Sequence, residues 1–501
     1  MKKNYIFIVF ITILALVTSS CKDKLFDFNL QSIDSEGEWG FPVINRALHT
    51  SDLFHNIDSL MFFNNSNGTL TFVSVNEIKN AVSLSDLFKI ENQTVDTAGV
   101  ALVTNLPNFD ILQVVKFNLN TPDFALKYAQ VKSGALSITF NITQANFSYS
   151  AVLTSNNIRT PQGGTASWTF NNTQHTLNLN FSDYVFEPDE NGDITFTAHI
   201  TVPTSTTLNQ VAFNCHVELN NFAVHSVRGQ FNAISRYFDS KTAFNLRFNQ
   251  LQFNEIIFHD GKISIFSKND LCRIDGTMNN LWLSGFGIYH PLISNPIPFS
   301  IPNSTLYELI SDISLPSLTY IPNIDTLNVQ CNLNVNPQGF SAGDIVMNEN
   351  SSMHLKFKTE LPSNLSIQNA VYYDTLVNAL HDQFNFSDPR SMEKLTLRMD
   401  LTNAFPFELT PEIFFVEGGS GSMYKLNTGE VVISQGSPNA PYQYRPIYVE
   451  LPYEEALHVT NAEKIILKFK MNTRGRDIEI TDSQFVNIYI GAKIKYSSIN
   501  M

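Results

Sequence analysis

Residues 136–142, LSITFNI, decide the fold. Leu136, Ile138, Phe140 and Ile142 are apolar, while Ser137, Thr139 and Asn141 between them are polar. Successive side chains of an extended chain point to opposite faces, so this alternation puts one face on a core and the other in water. The pattern returns with Ile194, Phe196, Ala198, Ile200 and Val202, with Val211, Phe213, Cys215, Val217 and Leu219, and with Leu327, Val329, Cys331, Leu333 and Val335. Such segments are half-buried antiparallel strands. The chain therefore reads as all-β, a multi-domain antiparallel β-sandwich architecture with a few short connecting helices. Cys215 and Cys331 share the apolar registers, which makes them small core residues.

Turn chemistry supports strands. Asn191-Gly192, Asp260-Gly261, Asn67-Gly68 and Asn427 to Gly429 each stand between alternating segments, and such residues favour the left-handed dihedrals of tight hairpins. Helical signals are few. Thr305 and Glu308 make a capping box ahead of Leu306, Leu309, Ile310 and Ile313, and Tyr373, Leu376, Val377 and Leu380 form a second helical stripe. Residues 453–460 form a third. SerAspLeuPhe occurs at 51–54 and again at 85–88, where Ser or Asp suits the cap of a short helical turn, but the flanking residues do not repeat.

Pro291, Pro296, Pro298 and Pro302 cannot lie in a central strand, so residues near 291 are read as a linker or an edge between modules. Beyond residue 391, strands expected at 395–401, 413–416, 431–433, 447–451, 465–471 and 486–496 suit a C-terminal immunoglobulin-like sandwich. The expected organisation is a signal peptide at 1–20, a lipid-anchor tether at 21–45, a long-stranded antiparallel β domain at 46–290, a Pro-rich boundary with a β and short-helix module at 291–390, and the sandwich at 391–501.

The amino terminus sets location. Lys2 and Lys3 precede an apolar run over 5–17, and Thr18, Ser19 and Ser20 lead into Cys21. That is a secretory signal layout, shorter than the ~20 residues a spanning helix needs. Small residues directly before a Cys resemble the lipobox of bacterial lipoproteins, which implies diacylglycerol on Cys21 and anchoring by acyl chains. Thr18 departs from the larger aliphatic usual at its position. Lys22, Asp23 and Lys24 resemble the charged tether of surface-exposed Bacteroidota lipoproteins.

With 32 basic and 46 acidic residues the chain carries −14, and loss of Lys2 and Lys3 deepens this by two. Nucleic acid and electrostatic docking on anionic lipid are disfavoured. Charged residues make up only 16%, against ~25% in an average soluble domain. Asn, Ser and Thr fill the polar positions, so the surface is neutral and hydrogen-bonding.

Several stretches, EWGFPVINRALHTSDLF at 38–54, NNSNGTLTFVS at 64–74, SLSDLFKI at 83–90, LTNAFPFELTPEIFFVE at 401–417 and NAEKIILKFKMNTRGRDIEI at 461–480, resemble uncharacterised predicted outer-membrane lipoproteins of Bacteroidota. The resemblance implies outer-membrane placement and β architecture, and brings no catalytic residue.

Local motifs for chemistry are sparse. There is no HisGluxxHis and no CysxxCys, so neither a metal site nor a cofactor is expected. His199 and His216 fall on polar faces and read as solvent-facing. A hairpin turn explains AspGluAsnGlyAsp at 189–193 better than a calcium loop does. Ser391 with Lys394 lacks the partner motifs of an acyl-enzyme, and GlyGlySerGlySer at 418–422 reads as a flexible hairpin loop. Carboxylate pairs for glycoside hydrolysis meet in space and not in sequence. Glu412, Glu417 and Glu450 are ordinary candidates for them, and no catalytic residue is assigned.

The 40 phenylalanines mostly occupy apolar registers, as Phe244 and Phe248 do with Leu246, which implies thick cores; a lipid-lined groove is the alternative. Of the tryptophans, Trp168 shares its register with Ala166 and Phe170 and belongs to a core, whereas Trp39 in the tether is the expected exposed aromatic. Asp58-Ser59, Asp96-Thr97, Asp325-Thr326 and Asp374-Thr375, each followed by an aliphatic residue or Ala, resemble the O-glycosylation motif of Bacteroidota and mark Ser59, Thr97, Thr326 and Thr375. The function expected is a non-catalytic binding or structural role at the outer membrane, held by an N-terminal lipid and facing a protein or glycan partner. The alternatives are a glycan-binding accessory of nutrient uptake and a periplasmic lipid carrier.

Overall fold

The alternating segments become strands, and the architecture follows from which of them pair. A computed structural model describes residues 38–54, 61–64, 68–101, 109–143, 150–171, 176–202, 211–244, 246, 248, 251–377 and 392–496. Cys21, the signal segment, Ser59, Ser391 and the side chain of Trp39 lie outside the described residues. Among those described, the strands form five antiparallel sheets, one of ten strands, one of seven and three of five. The chain is all-β, with a sandwich-like arrangement of sheets over a continuous apolar core.

The ten-stranded sheet is built on Val211–Phe231, paired along its length with Phe124–Thr143. The seven-stranded sheet centres on Glu255–Asn269. A third sheet joins Ile234–Ala243, Thr326–Val335, Ile274–Gly285, Ile288–Pro291 and Ile297–Ile301. The last two hold the carboxy-terminal strands. Met392–Asn403 and Phe485–Tyr496 pair in one, Glu408–Glu417 and Ala462–Asn472 in the other.

The phenylalanines close on one another. Phe72 meets Phe54, Phe248 and Phe258 edge-to-face at centroid distances of 5.8, 5.6 and 5.5 Å, and Phe54, Phe72 and Phe258 are fully buried. Each ring buried this way contributes about 1.5–3 kcal/mol.

Two expected helices are strands. Residues 305–313 lie in Ser304–Tyr320, an edge strand that pairs with Glu255–Asn269, and residues 373–377 lie in Ala370–Val377. Leu306 is 73% exposed, so its helical spacing marks no buried face; pairing along a neighbouring strand outweighed a local period. The third helix forms as Tyr453–Thr460 and links the two carboxy-terminal sheets. Both SerAspLeuPhe copies make a single helical turn, Thr50–Leu53 and Leu84–Leu87. In each the Asp accepts the backbone N–H three residues before it, at 2.8 Å from His49 and 2.9 Å from Ser83.

The turn expectations divide. Met61–Asn64 and Leu70–Ser83, the flanks of Asn67-Gly68, pair antiparallel, and Asn67 itself lies outside the described residues. At Asn191-Gly192 a turn forms, with the Gly192 N–H donating to the Asp189 carbonyl at 2.9 Å, yet its flanks Val185–Phe186 and Asp193–Val202 pair with other strands. The flanks of Asn427 to Gly429 likewise bond Glu408–Glu417 and not each other.

Asp260-Gly261 is not a hairpin at all. Glu255–Asn269 runs through it, with Asp260 left-handed at φ 58° and facing Pro316, which has no N–H to offer the ladder. The strand changes partner there, from Asn364–Gln368 to Ser352–Pro362, and a Cβ on Gly261 would sit 2.7 Å from Leu361.

The segment limits expected at 45, 290 and 390 do not coincide with sheet limits. Glu38–His49, eight of whose twelve residues fall in the expected tether, pairs with Phe485–Tyr496, and Ala370–Val377 pairs with Ala462–Asn472. The Pro-rich stretch supplies two edge strands, Ile288–Pro291 and Ile297–Ile301, of the third sheet, both paired with Ile274–Gly285. Proline is tolerated there because an edge leaves one side of the ladder unbonded. The carboxy-terminal strands appear where expected, except that 431–433 contributes only a bridge between Leu409 and Ile433. Their sandwich is completed by strands from the amino-terminal and middle parts of the chain.

Candidate functional site

Thr326–Val335 runs through the middle of the third sheet and sorts its side chains without exception. Leu327, Val329, Cys331, Leu333 and Val335 are buried beneath it. Asn328, Gln330, Asn332 and Asn334 point the other way, four amides in succession with no charge among them.

The neighbouring strands extend that face. Trp282 stands opposite Asn328 and Asn280 opposite Gln330 on Ile274–Gly285. Lys241, Asp239 and Tyr237 stand opposite Asn328, Gln330 and Asn332 on Ile234–Ala243. The amides are already tied together. Asn280 Nδ2 donates to Gln330 Oε1 at 2.8 Å, Gln330 Nε2 donates to Asp239 Oδ2 at 3.0 Å, and Asn328 Nδ2 donates to Ser284 Oγ at 2.8 Å. The buried Asn334 Oδ1 has no hydrogen-bond partner.

One end of the face is aromatic. The Trp282 and Tyr289 rings lie 5.8 Å apart at 36°, and Tyr289 is 61% exposed. Ile274–Gly285 turns into Ile288–Pro291 through Phe286-Gly287, both with positive φ, at 44° and 81°. That is the two-residue turn that favours Asn-Gly, and a bulky residue in the left-handed region costs about 1–2 kcal/mol. Phe286 is nevertheless there and 88% exposed. Strain of this kind concentrates at functional positions.

The residues singled out by sequence fall elsewhere. Thr97 has a buried hydroxyl oxygen without a hydrogen-bond partner, so its surroundings close off the atom that a glycan would occupy. Thr326 is half-buried at the end of the amide face, donating to Asp325 Oδ1 at 2.7 Å, and Thr375 is exposed on Ala370–Val377. Trp168 is half-buried against the core, 5.9 Å from Phe181. Cys215 and Cys331 are buried as their registers require, and desolvation pushes their thiols up to about 11 and about 12.

His199 is exposed, and His216 lies on the outer face between Glu218 and Asp96, at 3.0 and 2.6 Å. The turn at 189–193 is held by Asp189, whose side chain accepts the N–H groups of Asn191 and Asp193 at 2.9 and 3.0 Å. Lys394 pairs with Glu450 at 2.6 Å. Among the described residues no group of three or more His, Cys, Asp or Glu is placed to hold a metal ion.

The three candidate carboxylates are not brought together as acid and base. Glu417 pairs with His458 at 2.7 Å and Glu450 with Lys394, each on a different sheet. Glu412 is ringed by Lys425, Lys468 and Lys470 at 2.6, 2.8 and 3.3 Å, and their hydrogen bonds pull its carboxyl down to about 2. A general acid needs the opposite shift.

Trp282 and the amide register were not singled out by sequence. The signal is nonetheless present in Asn280, Trp282 and Ser284, where the tryptophan shares the polar register while Leu281 and Leu283 take the core.

No family model matches the chain, and no curated protein matches it. Among solved structures, it is similar to a protein from Parabacteroides distasonis described as secreted, at 10% identity and a TM-score of 0.28, over 92% of this chain and 100% of that one. It is also similar to particles derived from infectious bursal virus, at 8% identity and a TM-score of 0.12, over 89% of this chain and 82% of that one. Overlaps at these scores carry no argument about architecture or role. Among the described residues no helix is long and apolar enough to cross a membrane.

Proposed function

We propose that the chain is an exported cell-envelope protein, anchored in the outer membrane through acyl chains on Cys21, with a non-catalytic binding role served by the amide-and-aromatic face of the third sheet. The observation that carries this reading is the face itself. Its central strand presents only uncharged amides, its aromatic end is exposed, and its hydrogen-bonding groups are held in place before any ligand arrives. Ligand sites commonly pair apolar surface with a few placed polar groups. Glu412 and Glu450 are paired with lysines and Glu417 is bonded to His458, an arrangement that supports binding over hydrolysis at these three carboxylates.

The signal layout before Cys21 supports the anchor, and acylation at two or more positions gives stable attachment because each buried methylene contributes about 0.8 kcal/mol. The test is intact mass of the protein from native membranes, beside a Cys21→Ala control, before and after protease treatment of whole cells. Acyl mass at residue 21 together with shaving from the surface is the expected result. An unmodified mass overturns the anchor, and an acylated but protected protein moves the binding face to the periplasmic side.

A further inference from the structure

We infer that the ligand of this face is a neutral oligosaccharide lying along Thr326–Val335, with sugar rings against Trp282 and Tyr289; the inference rests on the binding role proposed above. The argument begins with charge. The chain carries −14, and the amides Asn328, Gln330, Asn332 and Asn334 form an uncharged strip. Lys241 and Asp239 on the edge strand oppose each other in sign. Asp275, opposite Asn334, is paired with Arg273 at 3.0 Å, so neither a polyanion nor a cation meets a cluster of one sign on this face.

Hydroxyl chemistry fits the strip. A sugar hydroxyl both donates and accepts, and each carboxamide offers two donors and an acceptor of the same kind. The face has groups to spare, since Asn332 is exposed in mid-strand.

Alternate residues of a strand are about 6.8 Å apart, so the four amides span about 20 Å, room for several sugar units. At one end Tyr289 and Phe286 are exposed, with the half-buried Trp282 tilted against Tyr289. The C–H faces of a pyranose complement such rings, as weak C–H donors complement π-systems.

The groups are also pre-organised. Asn280, Gln330 and Asp239 form a bonded row, and Asn328 is held by Ser284, so little side-chain freedom is left to lose on binding. A protein partner is a poorer match, because interface centres are anchored by buried apolar side chains and the centre of this face is amide.

The experiment is native affinity electrophoresis of the full mature protein in detergent, through gels containing dextran, galactomannan or arabinoxylan as neutral probes and polygalacturonate as the anionic one. Retardation by at least one neutral probe is expected, with none by polygalacturonate. Trp282→Ala and the double variant Asn328→Ala/Asn332→Ala should each weaken retention at least about tenfold. Tyr289→Ala guards against a variant that fails to fold, and an unchanged circular dichroism spectrum establishes that each variant is intact. Retention by polygalacturonate alone, no retention by any neutral probe, or retention unaltered in all folded variants overturns the inference. A chain that carries acyl mass yet ignores every neutral probe sinks this inference and leaves the anchor standing; a retained chain without acyl mass does the reverse.

Discussion

Two outward faces of the molecule share one backbone period and differ in what that period exposes. Along Thr326–Val335 the outward register is Asn328, Gln330, Asn332 and Asn334; along Ala462–Asn472 it includes Lys464, Lys468 and Lys470. The lysine face is occupied by its own neighbours. Lys468 and Lys470 close on Glu412 together with Lys425, and Lys468 also lies over the Tyr373 ring at 6.0 Å. The amide face keeps Asn332 exposed in mid-strand and exposed rings at Tyr289 and Phe286. The lysines are engaged by the carboxylate between them, whereas bonded amides keep spare donors and acceptors.

The largest expected effect falls on what the two faces have in common. Leu327 and Leu467 are 0% and 1% exposed in the middle strands of their sheets. Leu327→Ala and Leu467→Ala should each cost about 2–5 kcal/mol in denaturant unfolding. A cost confined to one of them would mean that the two sheets are not equivalently packed.

Next comes Glu412. Glu412→Gln leaves three lysines facing one another and should cost about 1–3 kcal/mol. The depressed carboxyl adds a pH signature. Its folded value of about 2 lies below the ordinary 4.5, so its contribution is present above that ordinary value and is lost as pH falls toward about 2. The wild-type denaturation midpoint should therefore drop over that window more steeply than that of Glu412→Gln. Parallel pH curves would remove the lysine clamp from the comparison.

A smaller effect of opposite sign is expected at the aromatic end. Phe286→Asn restores the Asn-Gly pair that suits a turn with two positive φ angles and should stabilise the protein by about 0.5–1 kcal/mol. Stabilisation together with weaker retention on neutral glycan gels would identify the phenylalanine as kept for binding at a cost in folding. The smallest effect belongs to Asn332, which is exposed in mid-strand. Asn332→Ala should move stability by less than about 0.5 kcal/mol, read as a thermal midpoint within a few degrees of wild type. A large loss would make the amide strip part of the scaffold.

Much of this was legible residue by residue. The alternation at 327–335 identified a strand, its buried register and the fate of Cys331, and the run at 453–460 identified the helix. The binding face was half legible, since the register that buries Leu281 and Leu283 necessarily turns Trp282 outward, but nothing local says whether another sheet covers it. The helical stripes at 305–313 and 373–380 misled because apolar residues at i, i+3 and i+4 fit a helix only when no strand stands ready to pair; Glu255–Asn269 and Ala462–Asn472 stood ready. Asp260-Gly261 misled because a single left-handed residue, here Asp260, bends a strand as readily as it helps to reverse one.

The sequence by itself determined the strand class, the inward and outward registers and the deep placement of Cys215 and Cys331. These depend on side-chain polarity at a spacing of two residues, which is local. Only the tertiary structure decided that Glu38–His49 pairs with Phe485–Tyr496, that the Pro-rich stretch edges an existing sheet, and that Trp282, Tyr289 and the amides of Thr326–Val335 share one open face. The physical reason is that backbone groups are alike at every residue, so a strand's partner is chosen by the packing of whole sheets and not by any mark in its own sequence.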